Sequence, residues 1–304
     1  MVENPMIFVS PVTDPWWNLA AEQHFLIKEP LQEPLLMLWQ SVPSVIIGRY
    51  QNPWIECDIG ALERENVLLA RRPSGGGAVY HDLGNLNYCV ISPRASYRKD
   101  YTLSFILSVL STSGIAAHAS GKSDMTADGR KFSGNAFRYT ASRVLHHGTL
   151  LVSADLDQLR RCLTPDRVME SMKGVRSRAS TVVNLAELAP DISCKKLSDD
   201  LSLAFPRWFG GSAEVHPLTP EHIDVQDQQN ELEGWAWIFG KTPAFTRSFR
   251  LSRSSDLCEA AVTVSKGIIS SVACEDAARC RSISEELVGR RYDEQTMEMY
   301  FTGL

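Results

Sequence analysis

The stretch RRPSGGGAVYHD (71–82) constrains this chain more than any other. Consecutive glycines lose backbone entropy on folding and weaken the interior of a helix or strand. A tight hairpin turn needs only one or two residues at positive φ. A third glycine therefore asks for another reason. Bare backbone admits close approach to its N–H groups, and an arginine beside it can hold a carboxylate or phosphate through paired hydrogen bonds. Arg71 and Arg72 lead into the glycines, and His81-Asp82 close the segment. The pattern is neither GxGxxG nor a P-loop, because strand-like AVYH follows where those motifs open a helix. A structural turn and an anion cradle both fit the residues at this point.

The chain has 304 residues, so one large domain plus a smaller one is expected. Its 44% hydrophobic and 22% charged residues are ordinary for a globular protein. A net charge of −5 argues against a protein whose main task is to grip nucleic acid, though not against a local basic pocket. The start, MVENPMIFVSPVTDPWWNL, lacks the basic head and long apolar run of a signal peptide and the arginine-rich composition of a transit peptide. No stretch approaches the roughly 20 apolar residues of a membrane span. The seven cysteines (57, 89, 162, 194, 258, 274, 280) are scattered without a CxxC pair. Neither a zinc site nor a redox dithiol is expected, and a reducing cytoplasm fits.

Local signals predict the following order. Ile7-Phe8-Val9 is a strand, and Asp14 caps a helix with Pro15 at its first position. Leu19, His24-Phe25 and Ile27 are placed near one face of that helix. PLLMLWQ and SVIIGRY are two strands joined by SVP, ECDIGALERENV is a helix with Leu62 buried, and VLLARR is a strand. GAVYHD and LNYCVIS are read as the arms of one hairpin with Leu83-Gly84 near its turn. YTLSFILSVLSTSG is a helix ending at Gly114. KSDMTADGRKFSGNAFRYT is a hairpin turning at Ala127-Asp128-Gly129, and RVLHHGTLLVS is a further strand. ADLDQLRRCLTPD is a helix stopped by Pro165, KGVRSRASTVVNL a loop, and CKKLSDDLSLAFPRWF a helix. The polar stretch 223–234 is a linker or helical link. Beyond it, three strands (TRSFRLSR, EAAVTVS, GIISSVACE) and two helices form a compact α+β unit.

Several segments carry possible chemistry. In GRKFSGNAF (129–137), strand alternation puts Lys131, Ser133 and Asn135 on one face. Small residues beside the lysine suggest that something packs against this backbone. HHGTLL has no partner at metal-ligand spacing, so its histidines are read as packing or hydrogen-bonding groups. GWAWIFGKTP misses P-loop spacing by one residue and is read as packing. Cys57, Cys89 and Cys162 lack a histidine at motif spacing and are read as buried, inert thiols.

DPWWNLAAE, LWQSVPSVIIGRYQNPWIEC, ARRPSGGGAVYHDLGN, GRKFSGNAFR and HHGTLL, in this order, resemble the lipoate–protein ligase and lipoyltransferase family over residues 5 to 205. The C-terminal unit resembles the family's accessory domain more loosely. The fold implied is α/β (α+β): a catalytic domain like those of class II synthetases and biotin ligases (1–222), a linker (223–234) and a smaller α+β accessory lid domain (235–304). The reaction implied is attack of lipoate on the α-phosphate of ATP, then transfer of the lipoyl group to a lysine of an apo lipoyl domain. Those acceptors are the E2 subunits of 2-oxoacid dehydrogenases and the glycine cleavage H protein.

By the same resemblance, Lys131 contacts both the lipoyl carbonyl and the phosphate. Arg72, Gly77, Ala78, Val79, Tyr80, Asn85 and Asp124 belong to the ATP or adenylate site, with Asp124 the candidate for Mg²⁺. Asn18, Ala21, Glu22, Trp39, Ser74, His81, Ala136 and His147 surround the lipoyl pocket. Where relatives often carry Asn-Asp, this chain has Ser123-Asp124. A transferase fed with preformed lipoyl-AMP, an octanoyl or lipoyl transferase working through a cysteine thioester at Cys89 or Cys162, and a binding module are the alternatives. A cytoplasmic monomer, mitochondrial in a eukaryote, is expected.

Overall fold

The computed structural model describes residues 6–28, 31–163, 171–172, 174–177, 180–210, 214–251 and 258–303. Strand β1 (Met6–Val9) leads into helix α1 (Pro15–Ile27). Asp14 starts that helix by accepting from the Trp17 N–H at 2.8 Å. Leu19 and Phe25 are buried on it, but Ile27 is 56% exposed, because the helix ends beyond the edge of the core. Strands β2 (Leu35–Trp39) and β3 (Ser44–Ile47) precede two short helices, α2 (Pro53–Glu56) and α3 (Ile59–Arg64). Strands β4 (Leu68–Arg71), β5 (Val79–His81) and β6 (Asn85–Pro93) follow, then helix α4 (Lys99–Thr112). Strands β7 (Ala117–Ser120), β8 (Asp124–Ala127), β9 (Arg130–Tyr139) and β10 (Arg143–Leu151) form a meander. Asp128 and Gly129 turn β8 into β9 at φ of 50° and 69°, as the Asp-Gly pair predicts.

Helix α5 (Leu156–Cys162), the two-residue strand β11 (Ser171–Met172) and helix α6 (Leu185–Leu188) lead to the long helix α7 (Cys194–Phe209) and strand β12 (Val215–Pro217). Pro165, the expected stop of α5, lies outside the described residues. Helices α8 (Gln226–Glu233) and α9 (Trp235–Ile238) come next. Strands β13 (Phe245–Leu251), β14 (Cys258–Ser265) and β15 (Ile268–Cys274) and helices α10 (Ala277–Leu287) and α11 (Glu294–Gly303) complete the chain.

One mixed sheet of eight strands runs β12-β1-β2-β6-β10-β9-β8-β7. Strands β2 and β6 lack alternation because both faces of the sheet are covered. Leu36, Tyr88, Phe105 and Phe205 join one face to α4 and α7. Met37, Cys89, Phe25 and Trp237 join the other face to α1 and α9. A separate sheet, β4-β3-β5, packs on this second face, with Ile46 and Ala70 in the same apolar cluster as Met37 and Trp39.

That separate sheet corrects the expected hairpin of GAVYHD with LNYCVIS. β5 pairs with β3, whereas β6 pairs with β2 and β10. Gly84 marks the crossing between layers: a Cβ there would meet the Ser153 carbonyl oxygen at 2.3 Å. The stretch 223–234 carries helix α8, and it is not free of the core. Ile223, Val225 and Leu232 pack into the cluster around α1.

The C-terminal unit is the four-stranded sheet β11-β13-β14-β15 with α10 and α11. It is stitched to the larger unit in three ways. Strand β11 comes from before residue 222. Trp54 packs edge-on to Tyr292 at 4.9 Å and against Phe245. Arg71, fully buried, donates to the carbonyls of Gly48, Arg49, Gln51 and Ile238 and to the Thr242 hydroxyl. Its own carbonyl accepts from the Trp237 indole at 2.7 Å. Replacing Arg71 by Met leaves buried carbonyls unpaired and should cost about 3–5 kcal/mol. Thr242→Ala removes one contact and should cost about 1 kcal/mol. Urea unfolding measures both, and an Arg71→Met midpoint equal to wild type would show that this contact does not hold the units together.

Candidate active site

Sheet register lays out the floor of the site. Trp39, Asn87 and Thr149 are directly paired across β2, β6 and β10. The Gly134 N–H of β9 donates to the Thr149 hydroxyl at 3.1 Å, and Gly134 pairs with Asp124 of β8. Directly paired residues face the same side. A second row, Met37, Cys89, His147 and Ala136, runs parallel to the first. Ile46, Val79, His81 and the Arg72–Gly77 loop roof this floor, and Leu19 and Glu22 of α1 close its side. The result is a narrow slot of about 90 Å³. A wider chamber of about 310 Å³ lies next to it, lined by Tyr80, Leu159, Leu163, Ser177 and Val182. Ala78, Val79, Lys131, Gly134 and Thr149 belong to both.

Lys131 reaches this junction because of a β-bulge. Met125 pairs with Ser133 but Thr126 with Lys131, so Phe132 is the extra residue. The bulge reverses the expected alternation. Lys131 lies on the side of Gly134, where an added Cβ would sit 3.4 Å from its Nζ, rather than on the side of Ser133 and Asn135. Ser133 and Asn135 turn toward each other and toward the Tyr88 hydroxyl. The strand around Lys131 is pinned on its outer edge by Val183 N–H to the Lys131 carbonyl at 2.9 Å and Lys131 N–H to the Thr181 carbonyl at 2.8 Å. The ammonium meets Asp124 Oδ1 at 2.9 Å.

A chain of polar contacts braces the slot. Glu22, 2% exposed, accepts from the Trp39 indole at 3.1 Å and from His147 Nδ1 at 2.7 Å. The other ring nitrogen, Nε2, shares a hydrogen bond with the Ser74 hydroxyl at 2.7 Å. Ser74 lines neither cavity, so this Ser–His–Glu chain anchors the glycine loop to α1 and presents no nucleophile. His81 stands edge-on to Trp39 at 5.5 Å. Burial, with Arg72 and His147 nearby, pushes its pKa down to about 3, so it is neutral. His146, on the opposite face, donates to Asn135 at 2.8 Å and is neutral for the same chief reason, burial.

Arg72 lines the slot but commits its guanidinium to carbonyls: Ile46 at 2.8 Å, Gly75 at 2.7 Å and Gly77 at 2.6 Å. Its contribution is the shape of the loop more than a pair of free donors. Burial lowers its pKa to about 10, which leaves it charged at neutral pH. Gly76 carries a φ of 88°, and a Cβ on it would meet Arg72 Nη2 at 2.9 Å. Gly76 and Gly77 line the slot, and Gly75 does not. Ser177 covers Gly77, its hydroxyl accepting from the Ala78 N–H at 2.8 Å.

The remaining sequence candidates lie behind the walls. Asn18 is buried and donates to the Val12 and Asp14 carbonyls, and Ala21 is packed in the core. Asn85 donates to Asn87 at 3.0 Å and lines neither cavity. Leu19, Ile46, Asn87, Gly134 and Thr149 were not anticipated. Gly134 and Thr149 stand inside the motifs GRKFSGNAF and HHGTLL, and Asn87 stands two residues from Asn85 in β6, so its polarity alone does not single it out. Cys89 and Cys162 are fully buried. Burial raises the Cys89 thiol well above its usual range and the Cys162 thiol to about 11, so neither is a ready thiolate. Among the described residues no three His, Cys, Asp or Glu side chains converge to hold a metal.

The two lining glycines should respond differently to a side chain. Gly76→Ala forces a non-glycine residue into left-handed backbone against Arg72 and should destabilise the protein by about 1–2 kcal/mol. Gly77→Val meets only Ser177, at 3.1 Å. It should keep the unfolding midpoint near wild type while weakening binding of a ligand in the slot by at least about tenfold. Thermal unfolding and calorimetric titration separate the two effects, and a Gly77→Val variant that loses only stability would reduce the loop to a turn.

The sequence model of the lipoyl protein ligase A/B catalytic domain matches residues 14–206. The lipoate-protein ligase A of Psychrobacter cryohalolentis is 37% identical over 98% of this chain and 92% of its own length. The crystal structure of P. falciparum LipL1 in complex with lipoate superposes with a TM-score of 0.70 at 27% identity, covering 99% of this chain and 95% of that one. The T. acidophilum protein Ta0514 with bound lipoic acid gives a TM-score of 0.61 at 25% identity, over 75% of this chain and 94% of that one. With its slot, junction lysine and glycine loop in the matched region, this chain belongs to the lipoyl protein ligase A/B family.

Proposed function

We propose that this protein is an ATP-dependent lipoate–protein ligase that forms lipoyl-AMP and passes the lipoyl group to a lysine of a lipoyl domain. The observation that carries the reading is Lys131 at the junction of a narrow slot and a wider chamber. A narrow slot walled by Leu19, Trp39 and Ile46 suits a thin acyl chain, and the chamber beside it suits a nucleotide. The carboxylate and the α-phosphate then meet at the Lys131 ammonium, which touches both spaces.

In the first step a carboxylate oxygen attacks the α-phosphorus and pyrophosphate leaves. Lys131 holds the two negatively charged partners together and offsets charge that gathers on their oxygens. At about 4 Å and an effective dielectric near 20, one such pair is worth on the order of 4 kcal/mol before desolvation. The bare Gly77 backbone and the walls of the two cavities supply position in place of covalent chemistry. In the second step the acceptor lysine attacks the mixed anhydride carbonyl and AMP leaves, giving an amide.

In this reading Asp124 would contact Mg²⁺. Its lone carboxylate fits an ion that takes one or two carboxylates and completes its shell with phosphate oxygens and water. Such an ion, when bound, neutralises triphosphate charge. A phosphate arriving at Lys131 gives the ammonium a second acceptor and leaves Asp124 oxygen free for the cation. The acceptors we assign are lipoyl domains of 2-oxoacid dehydrogenase E2 subunits and the glycine cleavage H protein. Residues 1–222 form the catalytic unit in this reading, with 223–234 as a packed helical link and 235–304 as the accessory unit. The buried, un-ionised thiols weigh against a cysteine thioester route.

Two experiments test the reading. The full chain incubated with ATP, Mg²⁺, lipoate and an apo lipoyl domain should add one lipoyl mass to the acceptor. Mass gain only with supplied lipoyl-AMP would make the protein a transferase alone. Lys131→Ala should lower the rate of pyrophosphate release by about 10²–10³ without unfolding the protein; a rate within a few-fold of wild type would remove the lysine from the chemistry.

A further inference from the structure

The slot has two chemically different ends. Lys131 and Asp124 stand at one. Along the floor Asn87 lies three strand spacings from Asp124 and two from the strand of Lys131, about 14 Å and about 10 Å at about 4.8 Å per strand, beside Trp39 at the other end. His81 hangs over this far end and is 3% exposed. Its tautomer follows from its neighbours. Asn85 donates to the Asn87 carbonyl oxygen at 3.0 Å, which turns the Asn87 amide N–H toward His81 Nδ1 at 3.5 Å. Nδ1 is therefore the acceptor, and the ring proton sits on Nε2. Among the described residues that buried Nε2 has no hydrogen-bond partner. A buried donor without an acceptor is costly, and its natural explanation in a ligand slot is an acceptor carried by the ligand.

We propose that His81 is a specificity-determining residue, its Nε2–H donating to a sulfur of the dithiolane ring and so favouring lipoate over a plain eight-carbon acid. The proposal rests on the reading of the slot as the lipoyl site. With the carboxylate at Lys131, an extended lipoyl group brings its ring to the Trp39 end, the only part of the molecule besides the carboxylate with an acceptor to offer. Octanoate fills the same space with methyl and methylene groups and leaves the N–H bare. Burial supports the role, because a neutral ring offers one fixed donor without placing a charge beside the sulfur.

The test compares wild type, His81→Phe and His81→Gln in the full chain. Phe keeps a ring against Trp39 but has no donor, and Gln returns an N–H near the position of Nε2. Calorimetry gives the affinity for lipoate and for octanoate, and pyrophosphate release with ATP gives kcat and KM for each. His81→Phe should cut the lipoate-to-octanoate preference by about tenfold, through lipoate affinity and KM, with octanoate within about threefold of wild type. His81→Gln should restore most of the preference. Equal wild-type affinity for the two acids, or a parallel loss for both in His81→Phe with an unchanged unfolding midpoint, overturns the assignment. Preferential lipoate binding lost in His81→Phe, with no pyrophosphate release by wild type, would uphold His81 and overturn the ligase reading.

Discussion

Two adjacent guanidinium groups, buried and hydrogen-bonded chiefly to backbone carbonyls, hold this structure together. Arg71 and Arg72 are 0% and 5% exposed, and burial pulls each pKa down only to about 10. Both stay charged at neutral pH, so each must be solvated by the protein. The solvent is backbone carbonyl oxygen. Successive residues at the end of a strand point to opposite sides. Arg71 therefore gathers the Gly48–Gln51 turn and the Ile238–Thr242 segment, while Arg72 gathers the glycine loop and β3. The irregular turns on both sides have carbonyls that no ladder satisfies, and the arginines have donors that no acid takes. Each solves the other's problem. A change in the C-terminal contact is consequently one residue away from the roof of the slot.

Local signals were legible, and non-local ones were not. Asp14 capping α1, Asp128-Gly129 turning β8 into β9 and the apolar run of α4 act within a few residues, and all formed as read. β5 and β6 failed as a hairpin because their partners are distant: Ile46 for Val79, and Trp39 for Asn87. Nothing in AVYH distinguishes a strand destined for the small sheet from one arm of a hairpin. The same limit hid the orientation of Lys131. Simple alternation groups it with Ser133 and Asn135, but a bulge at Phe132, with Thr181 and Val183 bonded to the outer edge, turns it to the slot. The motif identified the residue; only tertiary pairing decided where it points.

The glycine stretch also divides its labour in a way composition could not reveal. Gly75 has open space around it, Gly76 supplies the left-handed turn against Arg72, and Gly77 gives room beneath Ser177. Arg72, which the residues alone suggest as an anion clamp, mainly shapes the loop through carbonyl contacts. The site thus relies on a fixed frame: Glu22 holds Trp39 and His147, His147 holds Ser74, and Ser74 begins the loop.

A frame of this kind suits chemistry that needs no protein nucleophile. Neither thiol near the slot is ionised, and the serine of the Ser74–His147–Glu22 chain lines neither cavity. What the fold supplies is an ammonium at the meeting point of two spaces and walls that determine which ends of two substrates arrive there. For such a site the cost of holding polar groups in place is met during folding, so that little reorganisation remains when charge develops on the bound oxygens. The buried carboxylate of Glu22 serves that purpose. Its two hydrogen bonds keep it satisfied without a ligand, and they keep Trp39 and His147 in position before any ligand enters.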